Sequence, residues 1–82
     1  MKIGTVTGSV WATKKSPALR GHILLRVRTD GGELIAADLV GAGAGDRVIL
    51  CTGSAARCCQ SDAPIDAAII GILDEGGDAY DA

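Results

Sequence analysis

Residues 3–11 alternate. Gly4, Val6, Gly8 and Val10 fall on one side; Ile3, Thr5, Thr7, Ser9 and Trp11 fall on the other. A period of two in Val and Thr predicts a half-buried strand. Two glycines four residues apart on the same face predict a strongly coiled strand, as at the bend of a barrel. The pattern then breaks. Residues 12–21 carry Lys14-Lys15-Ser16-Pro17 and Gly21, which reads as a loop. Residues 22–28 alternate again, with Ile23, Leu25 and Val27 on one face and His22, Leu24, Arg26 and Arg28 on the other. Asp30-Gly31-Gly32 makes a turn, and residues 34–40 pair back as the second half of a hairpin.

The glycine-rich segment 41–46 predicts a flexible connection, and residues 47–52 a fourth strand. Gly53 ends that strand. Ser54 is a candidate N-cap for a single helical turn over 55–60. Pro64 closes the excursion, and the isoleucine-rich stretch 65–73 predicts a fifth strand ahead of a loose tail. Five short strands and one helical turn point to an all-β fold. An antiparallel five-stranded OB-like Greek-key barrel would leave no exposed edge.

Composition adds a constraint. The chain has 82 residues, the size of one domain. Its 13 Ala and 12 Gly outnumber its 20 Ile, Leu and Val, so much of its apolar content is small. Small side chains let backbones approach but bury little area each. A domain of this size buries only about 60% of its unfolded surface, so its own core is marginal. No disulfide framework or metal site suggests itself as reinforcement, which leaves self-association.

The longest apolar run, 67–73, falls far short of the roughly 20 residues of a spanning helix, so no membrane partner is expected. The N-terminus lacks the apolar core of a signal peptide. Three cysteines, an odd number, fit a reducing compartment. A soluble cytoplasmic protein is expected. The net charge of −2 makes no general electrostatic case for nucleic acid. Residues 74–82 hold four acids and no base; without them, 8 basic residues face 6 acidic ones.

Candidate chemistry is sparse. Gly41, Gly43 and Gly45 lack the third glycine of a dinucleotide fingerprint, and a strand follows them where a helix is needed. Cys51, Cys58, Cys59 and His22 contain no C-x-x-C, and adjacent thiols rarely share one tetrahedral ion. Cys51 reads as a small core residue. A Cys–His nucleophile has no local orienting group. No catalytic residue, cofactor or metal is therefore expected. Lys14, Lys15 and Arg20 form a basic loop, extended by Arg26 and Arg28 along one strand face. With Trp11 and Tyr80 as the only aromatics, there is little on which single-stranded bases could stack. Gly53-Ser54-Ala55-Ala56-Arg57 is a compact element suited to close approach.

In order, these segments resemble the vertex proteins of bacterial microcompartment shells, of the EutN/CcmL type. Residues 1–13 look like that family's opening strand, and Lys15-Ser16-Pro17-Ala18-Leu19-Arg20-Gly21 like its K-x-P-x-L-x-G loop. Ala37-Asp38-Leu39-Val40-Gly41-Ala42-Gly43-Ala44-Gly45-Asp46 begins its most specific run. Gly53-Ser54-Ala55-Ala56-Arg57 is similar to its G-[SD]-[SA]-A-R loop, and residues 64–74 to its closing strand. Cys58-Cys59 departs from the family pattern.

The resemblance implies a non-enzymatic shell protein of the bacterial cytoplasm, with a vertex domain over 1–74 and a flexible acidic tail over 75–82. Homopentamers would cap the fivefold vertices alongside hexameric and trimeric shell proteins. On this reading Gly53, Ser54, Ala55, Ala56 and Arg57 surround the fivefold axis, with Arg57 pairing across subunits or with a local carboxylate. Lys14, Lys15, Pro17, Arg20, Gly41, Gly43 and Gly45 meet the neighbouring shell tiles. The alternatives are an OB-like single-stranded nucleic-acid-binding module and a small adaptor or enzyme subunit.

Overall fold

The computed structural model describes residues 1–11, 14–19, 21–57 and 64–74, with Arg57 described by its backbone alone. Arg20, Cys58, Cys59, the end of the expected helical turn and the acidic tail lie outside the described residues. Five strands, β1 (Lys2–Val10), β2 (Ile23–Thr29), β3 (Gly32–Asp38), β4 (Arg47–Thr52) and β5 (Ala67–Leu73), close a barrel in the order β1-β2-β3-β5-β4. A 3-10 turn, Pro17–Leu19, lies between β1 and β2, and a one-turn helix, α1 (Ser54–Arg57), follows β4.

The expected five-stranded, OB-like barrel is present, but its strands are not all antiparallel. β3 and β5 run parallel, with Ala37 opposite Ala68 and Asp38 opposite Ile69. Parity requires this: alternating directions around a closed ring need an even number of strands. The other four junctions are antiparallel, and the parallel one is the shortest.

The alternation in β1 translates directly into burial. Gly4 and Val6 are buried, whereas Ile3 and Thr7 are exposed. Gly4 sits where β1 bends against β2: a Cβ there would lie 2.5 Å from Val27 Cγ1 and 2.8 Å from the Arg28 carbonyl oxygen. No larger residue fits without moving backbone. The pairing of β1 with β2 then slips between Val6 and Gly8, an irregularity that adds bend.

Val6, Leu25, Val27, Ala36, Val48, Leu50, Ala67 and Ile69 fill the barrel interior. A second, smaller cluster lies outside the barrel wall. There Ala37, Ala56, Ile65 and Ala68 pack together, with Leu19, Leu24 and Cys51 against them. Consecutive residues Ala36 and Ala37 are thus both buried, one on each side of the wall.

Hydrogen bonds account for two of the shifts of element boundaries from their expected places. Strand β2 begins at Ile23 because the His22 N–H donates to the Leu19 carbonyl (3.1 Å), closing the 3-10 turn. Strand β3 ends at Asp38, two residues early. Asp38 Oδ1 accepts from the N–H groups of both Val40 and Gly41 at 3.1 Å, turning the chain away. β5 begins at Ala67, two residues later than expected, and the Gly53 N–H donates to the Asp66 carbonyl (2.7 Å) just beyond its pairing with β4.

The glycine-rich segment 41–46 is not the flexible connection its composition suggests. Gly43 N–H donates to Asp46 Oδ2 (2.9 Å), Gly45 N–H to the Val6 carbonyl (2.8 Å), and Val6 N–H to the Asp46 carbonyl (2.9 Å). Ala42 packs against the barrel interior. Asp38 and Asp46 together fasten the segment to the barrel.

Candidate functional site

Among the described residues no buried polar or charged side chain occurs, and no group of three or more His, Cys, Asp or Glu could hold a metal ion. What the molecule presents is surface, built from three features.

The first is α1. Gly53 has φ +66°, a left-handed conformation that turns the chain out of β4 at no steric cost. The Ala56 N–H donates to the Gly53 carbonyl (3.2 Å), starting the helical turn. The helix begins at Ser54 itself, one residue ahead of the expected start. Ala56 is fully buried against Ala37, Ile65 and Ala68, while Gly53, Ser54 and Ala55 are exposed. One small side chain therefore anchors the turn and leaves its other face outward. The seat is made of alanines, so α1 sits close to the wall.

The second is a pair of loops at one end of the barrel. Leu19 packs on the outer cluster, and Ser16 caps the 3-10 turn through its carbonyl (to Leu19 N–H, 2.9 Å) and its Oγ (to Ala18 N–H, 3.3 Å). This fixes the loop while Lys14, Lys15 and Pro17 stay exposed. The loop rejoins the barrel at Ile23, opposite Asp38, from which the glycine-rich segment departs. Gly41, Gly43 and Gly45 are exposed there. The two loops suggested for tile contact thus have adjoining roots.

Arg26 and Arg28 do not extend the basic loop as a free stripe. Both face Glu33, at 3.7 and 3.9 Å, in exposed pairs that contribute little stability but reduce the local positive charge.

The third feature gave no distinguishing signal in the sequence. Met1, Ile3, Trp11, Ile23, Ile35, Leu39, Val40 and Ile72 are all more than a third exposed. Ile3 and Ile35 stand outward on strands whose outer faces ought to be polar. The only available signal was an isoleucine among threonines in β1, and that is too common to single out.

The family model described as "Ethanolamine utilisation protein EutN/carboxysome" matches residues 1–74. The bacterial microcompartment shell vertex protein PduN of Salmonella typhimurium is 44% identical over 87 residues, covering 90% of this chain and 96% of that protein. The carboxysome shell vertex protein CcmL of Thermosynechococcus vestitus is 41% identical over 83 residues, covering 90% and 84%. The solved structure of the pentameric microcompartment shell protein GrpN from Rhodospirillum rubrum superposes with a TM-score of 0.80 at 43% identity, covering 90% of this chain and 94% of that one. A five-stranded barrel matched over nearly its whole length by shell vertex proteins has one assignment: the chain belongs to the EutN/CcmL family.

Proposed function

We propose that the protein is a structural subunit that assembles into homopentamers and caps the fivefold vertices of a bacterial microcompartment shell. The observation that carries this reading is the likeness to a pentameric shell protein at 43% identity over 90% of the chain. The physics supports it. A small barrel rich in alanine and glycine gains stability by burying surface against copies of itself. Flat hexagonal tiles cannot close a polyhedron, and pentagonal units supply the curvature.

The protein performs no catalysis and works in the bacterial cytoplasm, beside hexameric and trimeric shell proteins. Residues 1–74 make the vertex domain, and 75–82 form an acidic tail that the ring does not need. Gly53, Ser54, Ala55, Ala56 and Arg57 surround the fivefold axis, with Ala56 holding the turn to its own barrel. Lys14, Lys15, Pro17 and Arg20, with Gly41, Gly43 and Gly45, form the edge that meets the tiles. The fastened glycine segment supports this, because an ordered edge without side chains costs little entropy to dock.

Electron microscopy of shells co-expressed with and without this chain tests the reading. Capped vertices are expected only when the chain is present. Vertices that stay open in its presence would refute it.

A further inference from the structure

Four of the chain's ten acidic residues fall in 74–82, a stretch without a base. That stretch follows the end of β5, where Leu73 stands opposite Arg47 of β4. Arg47 stands opposite Thr5 of β1, and Thr5 opposite Arg28 of β2. In their strands these three alternate with Val48, Gly4 and Val27, which are buried, so their side chains project from the outer surface of the wall. A row running Leu73, Arg47, Thr5, Arg28 therefore crosses the barrel and begins at the root of the acidic stretch.

The row is basic. Arg47 is exposed and forms no ion pair among the described residues. Arg26 and Arg28 share one carboxylate, that of Glu33, at 3.7 and 3.9 Å, which leaves one positive charge over. The Arg28 side chain is 72% exposed and open to a second partner. Thr5 puts only a short neutral side chain between the two guanidinium groups. An open groove lined by Ile3, Arg47, Leu73 and Asp74 marks the start of the path.

We propose that the acidic segment following Asp74 lies back across this row, with Glu75 against Arg47 and Asp78 against Arg28 of the same chain. Spacing is the main argument. Neighbouring strands lie about 4.8 Å apart, so Arg47 and Arg28, with β1 between them, project about 9–10 Å apart. A chain extended in the polyproline manner repeats every three residues and advances about 9 Å in that repeat. Glu75, Asp78 and Asp81 are three residues apart, so such a segment carries its acids along one edge at the interval of the arginines. Gly76 and Gly77 put no side chain between the first two. One step further, beyond Arg28, the row reaches Glu33. Asp81 would meet a like charge there, so the contact ends at Asp78.

The chain's own segment has an advantage over any other acidic partner. Exposed ion pairs are weak singly, but a short tether holds the segment at about millimolar effective concentration. Acidic segments of other proteins must compete with it for this face. The contact needs no second copy of the chain and is independent of the oligomeric reading above.

Zero-length crosslinking of the full chain tests the register. Arg47→Lys and Arg28→Lys keep each charge and supply an amine that a carbodiimide can join to a carboxylate. At low ionic strength, mass spectrometry is expected to find Glu75 joined to position 47 and Asp78 to position 28. Each link should be at least tenfold more abundant than links from the same acids to Lys14 and Lys15. Links from Asp81 to position 28 should be at least tenfold rarer than those from Asp78. In 1 M NaCl, where screening acts within about 3 Å, the Glu75 and Asp78 links should fall at least fivefold. In an equal mixture of isotope-labelled and unlabelled chains, each linked pair should carry a single label. Nuclear magnetic relaxation of the unsubstituted chain gives a second readout: the amides of Glu75 to Asp78 should gain mobility in 1 M NaCl while those of β1 do not change. Links no more abundant than those to Lys14 and Lys15 would overturn the proposal, as would mobility indifferent to salt. Pairs of mixed label would place the segment on a neighbouring copy, and Asp81 linking as well as Asp78 would refute the register.

Discussion

The inside of the barrel and the seat of α1 are both fully buried, yet they are made differently. The interior is filled by Leu50, Ile69, Val6, Val27 and Val48. The seat is Ala37, Ala56 and Ala68, with Ile65 as its one large member. Large aliphatic residues bury the area that makes the barrel stable. Alanines bury little and instead bring α1 close to the wall. The interior determines whether the chain folds; the seat determines how far α1 stands out, and hence the surface offered to neighbours. Substitutions that reverse the size of the side chain in each region should therefore fail in different ways.

Leu50→Ala should have the largest effect. Leu50 has no exposed surface, and truncating a buried leucine costs about 2–5 kcal/mol through lost burial and the cavity left behind. Thermal denaturation is expected to show a loss of folded protein across all strands together. A loss below 1 kcal/mol would mean that the interior is not what holds the barrel.

Ala68→Leu should come next, at about 1–3 kcal/mol of overpacking. Its signature differs. Hydrogen exchange is expected to accelerate in α1 while the amides of β1 and β2 stay protected, and pentamer yield is expected to fall more than stability does. Uniform acceleration throughout the barrel would erase the distinction between the two regions.

Asp38→Ala should cost about 1 kcal/mol, the usual size of a lost hydrogen-bonded acceptor. Two backbone donors lose their partner, so exchange at Val40 and Gly41 is expected to rise with little change in β2. Reversing Lys14 and Lys15 to Glu should change stability least, within about 0.5 kcal/mol, because both are exposed. The pentamer is expected to survive while vertex occupancy in co-expressed shells falls. Full occupancy would place the tile edge elsewhere.

The same contrast explains what could be read from the sequence. Side chains with a strict period of two, such as Leu25 and Val27 or Val48 and Leu50, mark the interior directly, because in a strand only burial on one face sustains that pattern. The turn at Gly53 was equally plain, since a helical turn after a strand needs a residue free to take positive φ. Ala36-Ala37 carried no such signal: two alanines in sequence look the same whether one face is buried or two. Leu39 and Val40 read as strand because propensity is blind to the Asp38 carboxylate that turns the backbone away. The glycine-rich segment read as flexible because composition does not reveal two aspartates placed to accept its N–H groups. The parallel junction of β3 with β5 follows from the odd strand number, but only once closure is assumed.

Native mass spectrometry of the full-length chain at micromolar concentration tests the central claim most directly. The account predicts one dominant species at five times the 8.3 kDa chain mass. A folded monomer that persists at that concentration would contradict it.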